Sequence, residues 1–175
     1  NDFNQFEKIQ MSLNLINLLR KDIKKNTILR FRKSYFNNHF GTQYIDFFKD
    51  LGIEIDKGEE DINKLSSKSR LSLFNYDSTG ILENYTYNRP TLFIVAKDFL
   101  NCLTKEIEKK YQMLLENNLM FVDEKKLINH INNHWPNILE WWMSEKNQRI
   151  IKEFNKDFNI VPNKKSIKKL KKLLF

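Results

Sequence analysis

Cysteine is nearly absent from this 175-residue chain. Cys102 stands alone, so no intrachain disulfide can form, and a reducing compartment fits. Long apolar runs are missing too: no stretch approaches the roughly 20 residues needed to cross a bilayer. The polar opening after Asn1 carries no signal-peptide pattern. The chain does not open on Met, which suggests a processed chain or a piece of a longer protein. Ala96 is the only alanine, against many Asn, Lys and Ile. That bias matches an AT-rich coding sequence and makes asparagine a weak chemical signal. Internal repeats and low-complexity linkers are lacking, apart from a Lys-rich end.

What remains is a core-forming composition. The chain is 41% hydrophobic and 30% charged, with 14 Phe, 6 Tyr and 3 Trp. That suits one globular domain with a sizeable core. The net charge of +8 is concentrated: the last twelve residues, KKSIKKLKKLLF, hold six Lys and no acid. Without them the body is close to balanced. A nucleic-acid-binding surface spreads basic residues over a face, and the body shows no such pattern. We therefore divide the chain into a domain at 1–163 and a basic amphipathic tail at 164–175.

Apolar spacing predicts an amphipathic helix over Phe3–Lys24 and a short strand at Thr27–Arg32. A loop follows, then a helix capped by Thr42 and a strand at Ile53–Ile55. Strands are expected at Leu71–Phe74, Thr91–Val95 and Leu119–Val122, with helices between them. Further helices are expected at Asp123–Asn133, Pro136–Met143, Glu145–Phe158 and Ser166–Leu174. Alternating strands and helices indicate an α/β fold: a Rossmann-like parallel sheet of four or five strands flanked by helices, with a helical C-terminal extension.

The segment Arg70–Val95, RLSLFNYDSTGILENYTYNRPTLFIV, carries the chemistry. It reads as buried strand, small-polar turn, helix, Asn-Arg-Pro and second buried strand. The turn puts Ser78, Thr79 and Gly80 at a helix start, with Glu83 one turn later. Free N–H groups at such a start attract phosphate, and hydroxyls add donors. A carboxylate one turn in accepts hydrogen bonds from sugar hydroxyls. Ligands of parallel sheets bind beyond the carboxyl ends of strands, where this turn lies. The same residues also read as an ordinary helix cap, with Glu83 in a capping interaction or in solvent. Asn88-Arg89-Pro90-Thr91 reads as a helix stop. Arg30 and Arg32 share one strand face. Arginine suits bidentate contact with phosphate or carboxylate, and equally the solvated edge of a strand.

Ser69–Ile94 resembles the nucleotide-sugar-binding half of GT-B glycosyltransferases. More closely, the chain resembles the C-terminal part of a transferase family of bacterial surface carbohydrate biosynthesis. The matching pieces are Leu29-Arg30-Phe31-Arg32, Ser69-Arg70-Leu71, Asp77-Ser78-Thr79-Gly80-Ile81-Leu82-Glu83 and Asn88-Arg89-Pro90-Thr91. Glu140-Trp141-Trp142-Met143-Ser144 and Lys152-Glu153-Phe154 continue the match. It covers most of residues 27–158, and the order of the pieces carries it. Gly80 departs from the pattern, since related sequences often keep a side chain there.

The resemblance implies a GT-B-like C-terminal domain that binds an activated nucleotide-sugar donor, with no cofactor and no obligatory metal. Donor-binding residues carried over by position are Arg30, Arg32, Asp77, Ser78, Thr79, Gly80 and Glu83. Ser78 and Thr79 would meet phosphate, Glu83 a ribose or sugar hydroxyl, and the two arginines the diphosphate or a carboxylated sugar. A glycan acceptor and a second, N-terminal domain are implied partners, and the catalytic base would come from that domain. The implied setting is cytoplasmic, at the inner face of the membrane.

His130 and His134 have the i,i+4 spacing of a zinc-binding pair, but no Glu or Cys completes a site. They read as packing or surface residues. His39 sits in a loop, where a general-base role is open. Trp135, Trp141 and Trp142 read as a packing cluster or as a sugar platform. The tail suits an anionic membrane surface or a helix packed on its own domain. The rival reading of the whole chain is a non-catalytic α/β interaction module that docks on a membrane or partner through that tail.

Overall fold

The computed structural model describes residues 2–158, apart from 32, 34, 35, 37 and 38. The basic tail and Arg32 lie outside the described residues. The chain is α/β, with parallel strands flanked by helices and a helical C-terminal part. It opens with α1 (Asp2–Leu18) and the short α2 (Lys21–Lys24). Then β1 (Ile28–Arg30), α3 (His39–Asp50) and β2 (Glu54–Asp56) form the first unit. In it β1 and β2 pair in parallel, Leu29 opposite Ile55 and Arg30 opposite Asp56. Then α4 (Ile62–Lys68) leads to a second sheet of β3 (Ser72–Phe74), β4 (Thr91–Ile94) and β5 (Met120–Phe121). Here α5 (Thr79–Thr86) and α6 (Lys105–Glu116) are the crossovers. The chain continues through α7 (Glu124–His134), α8 (Ile138–Met143) and α9 (Glu145–Phe158).

The five described strands thus form two parallel sheets rather than one. Between β2 and β3 the chain supplies α4 and no strand. The second sheet runs β3-β4-β5 in simple order, all parallel. Right-handed crossovers in that order put α5 and α6 on the same face, and α9 packs across both. On β4 every residue is buried, which explains its unbroken apolar run from Leu92 to Ile94.

Two apolar clusters result. The larger surrounds β4 and includes Leu92, Phe93, Leu114, Met120, Leu127, Trp142 and Phe154. The smaller joins Ile9, Ile16, Phe31, Ile45, Phe48 and Ile53. Helix α1 serves both: Leu15 belongs to the larger and Ile16 to the smaller. Neighbouring helical residues point about 100° apart, so one helix can face two cores.

Several local expectations shift. The first helix breaks between Leu18 and Lys21, where Asn132 of α7 intervenes. Its Nδ2 donates to Leu18 O (3.1 Å), and its Oδ1 accepts from Arg20 N (3.1 Å). The backbone exchanges helical partners for a side chain 112 residues away. The third helix begins at His39, so Thr42 lies inside it instead of capping it. Asp123 caps α7 as expected, accepting from Lys126 N at 2.8 Å.

Candidate functional site

The carboxyl end of β3 runs directly into the turn Asn75–Ser78 and the start of α5. Ser78 holds the cap position in extended geometry, and its carbonyl accepts from Ile81 N at 3.1 Å. Its hydroxyl makes no capping bond. Thr79 beside it is exposed. A Cβ on Gly80 would lie 2.9 Å from Phe74 Cε1 and 3.0 Å from Cζ. A side chain at position 80 would need the Phe74 ring to shift.

The turn is fixed from two sides. Asn75 Nδ2 donates to Ser12 Oγ (3.1 Å) and Lys8 O (3.3 Å), pinning α1 against it. The Lys8 ammonium sits over the Tyr76 ring, 4.9 Å from its centroid. On the other side the Tyr111 hydroxyl donates to both Asp77 oxygens at 3.1 Å. Crowding by protein pushes the Asp77 carboxyl pKa up, and the Tyr111 bond partly opposes that. Burial and the Asp77 charge push the Tyr111 phenol up as well.

Glu83 is exposed on α5, and its Oε2 accepts from Asn63 Nδ2 at 3.0 Å. Arg30 stands apart in the two-stranded sheet. Its Nη1 pairs with Asp56 and donates to Glu60 O at 2.8 Å. A guanidinium already neutralised by a carboxylate attracts a phosphate less strongly. The structure thus brings Asp77, Ser78, Thr79 and Gly80 together, with Glu83 one turn along. Arg30 joins them only through the start of α4.

The turn holds partners that sequence reading did not single out: Lys8, Asn63, Asn75 and Tyr111. No local pattern marks them: Lys8, Asn63 and Tyr111 come from distant elements, and Asn75 lies in the turn but bonds to α1. His130, His134 and the three tryptophans make ring and hydrogen-bond contacts. His130 and His134 stack at 4.2 Å between centroids, and Trp141 meets His130 edge-on at 4.7 Å. Trp142 is buried, with Nε1 donating to Asn88 Oδ1 at 2.9 Å. Arg70 covers Trp135 at 4.9 Å. These tryptophans pack the helices, and Cys102 is an exposed free thiol. Among the described residues no three His, Cys, Asp or Glu are grouped to hold a metal ion. Among them no helix is long and apolar enough to cross a membrane. An open apolar groove of about 300 Å³ lies between α1 and α3, lined by Ile9, Leu13, Tyr44, Phe47 and Phe48. It includes none of the turn residues.

Parallel strands flanked by helices, with a helix-opening turn at the carboxyl end of β3, define an α/β protein. Within that class, the chain belongs to a transferase family: the model described as LIC12162 family transferase matches residues 1–174. No curated protein and no solved structure matches it.

Proposed function

We propose that this transferase is a glycosyltransferase of GT-B type, or its donor-binding C-terminal domain, taking a sugar from a nucleotide carrier to a bacterial surface glycan. The observation that carries the reading is the run Asp77-Ser78-Thr79-Gly80 at the carboxyl end of β3, opening α5 one turn before Glu83. Ser78, Thr79 and the first amides of α5 meet the donor phosphates. Glu83 accepts from ribose or sugar hydroxyls. Lys8 lies over Tyr76 in the same turn and adds the positive charge that Arg30 largely spends on Asp56. As the glycosidic bond breaks, negative charge grows on the leaving phosphate, and preorganised amides and a cation stabilise it. Asp77, held by Tyr111, keeps the turn in shape.

Calorimetric titration of the full chain with UDP-, GDP-, CDP- and CMP-sugars tests this. At least one should bind, and the Ser78/Thr79/Glu83 triple alanine variant should bind it about tenfold or more weakly, given the worth of charge-assisted hydrogen bonds. Absence of binding by wild type, or equal binding by the triple variant, sinks the proposal.

A further inference from the structure

We infer that Asn63, oriented by Arg89, is a positioning residue for Glu83, and so governs how the chain grips the hydroxyls of a sugar nucleotide. The inference rests on the donor-binding reading of Glu83 given above. Asn63 Nδ2 donates to Glu83 Oε2 at 3.0 Å. Arg89 Nη1 donates to Asn63 O at 2.9 Å and to Asn63 Oδ1 at 3.2 Å. A carboxylate only accepts and a guanidinium only donates. The Asn63 amide therefore has one orientation that satisfies both neighbours.

The backbone of Asn63 is fixed as well. Asp61 caps α4, and its Oδ1 accepts from Asn63 N at 2.8 Å and from Lys64 N at 3.3 Å. One residue earlier, Glu60 O accepts from Arg30 Nη1 at 2.8 Å. Two guanidiniums, one from β1 and one from the turn between α5 and β4, thus converge on residues 60–63. Arg89 itself lies over the Tyr87 ring at 4.7 Å. The Asn-Arg-Pro segment is then more than a helix stop: its arginine reaches back to the residue that holds Glu83.

An exposed glutamate has several rotamers to lose when a ligand arrives. A tether that selects one beforehand lowers the ordering cost of binding. A carboxylate offers roughly four acceptor positions, so one bond to Oε2 leaves capacity for hydroxyls.

The experiment is a double-mutant cycle on the full chain, read as affinity for whichever of UDP-glucose, GDP-mannose or CMP-N-acetylneuraminate binds wild type. Asn63→Ala should weaken binding about fivefold, the scale of one hydrogen bond. In a Glu83→Ala background it should have no further effect, because it acts through Glu83. Asn63→Asp keeps the side-chain size, so it tests the point even if the alanine variant fails to fold. It replaces the donated bond by a like charge beside Glu83, so binding should weaken at least as much as in the alanine variant, and again with no further effect in the Glu83→Ala background. A residue that merely packs α4 on α5 weakens binding equally with and without the Glu83 carboxylate. Wild-type affinity in both Asn63 variants, or an equal loss with and without Glu83, overturns this inference alone. Failure of wild type to bind any probe overturns the donor-site reading and this inference with it.

Discussion

At Asn88 the backbone takes φ 52°, the left-handed position that closes α5 after Tyr87. Asparagine tolerates that conformation better than most side chains. Its amide is also used: Oδ1 accepts from Trp142 Nε1 (2.9 Å) and Gln148 Nε2 (3.0 Å). Trp142 keeps a second acceptor in Asn88 O at 3.2 Å. Asn88→Ala is therefore expected to lose about 2 kcal/mol of stability, roughly half from left-handed strain and half from the lost bonds. Asn88→Gly relieves the strain and should lose about 1 kcal/mol. Urea melts of the two variants separate these contributions, and equal losses would remove the strain term. Asn63, Asn75 and Asn132 likewise make long-range bonds. Composition hid all four, since an asparagine-rich chain offers many residues of the same kind and no local rule for choosing among them.

Helix α7 shows how an element gains properties its own pattern does not announce. Its i,i+4 histidines look like metal ligands by spacing, yet they stack on each other and against Trp141 of α8. Phe121 of β5 closes another side of His130, 5.5 Å away between centroids. His130 Nε2 is buried and has no hydrogen-bond partner among the described residues. Burial, reinforced by His134, lowers the His130 pKa from 6.5 to about 4. The unfolded chain then binds a proton that the folded chain refuses. Stability contributed by neutral His130 is complete above pH 6.5 and drains away as pH falls toward about 4. Wild type should therefore lose more of its urea midpoint between pH 7 and pH 4.5 than His130→Phe does. Parallel losses in the two proteins would show that His130 titrates normally. A neutral imidazole between aromatic rings is a packing arrangement.

For the whole molecule, α1 is the shared wall. Leu15 packs into the cluster around β4, and Ile16 into the one around Phe48. Truncating either to alanine should cost about 2–4 kcal/mol. The consequences differ in kind. Wild type should unfold in one transition, because one helix closes both clusters. The Ile9→Ala/Ile16→Ala pair should loosen the smaller cluster first and split that transition. Tryptophan fluorescence reports the larger cluster, which contains Trp142, while far-UV circular dichroism reports the whole chain. Coincident curves for the double variant would mean the clusters do not separate.

Much of this molecule follows from short-range chemistry. Apolar runs at Leu92–Ile94, a small-polar turn at Asp77–Gly80 and a capping Asp123 act over a few residues, so the α/β class and the turn beyond β3 can be read from the chain itself. The split into two sheets, the break at Arg20, the hold of Asn63 on Glu83 and the neutralising of Arg30 by Asp56 were decided in three dimensions. Each depends on a partner from another part of the chain. Periodicity records which side of an element is buried; it does not record what that side will meet.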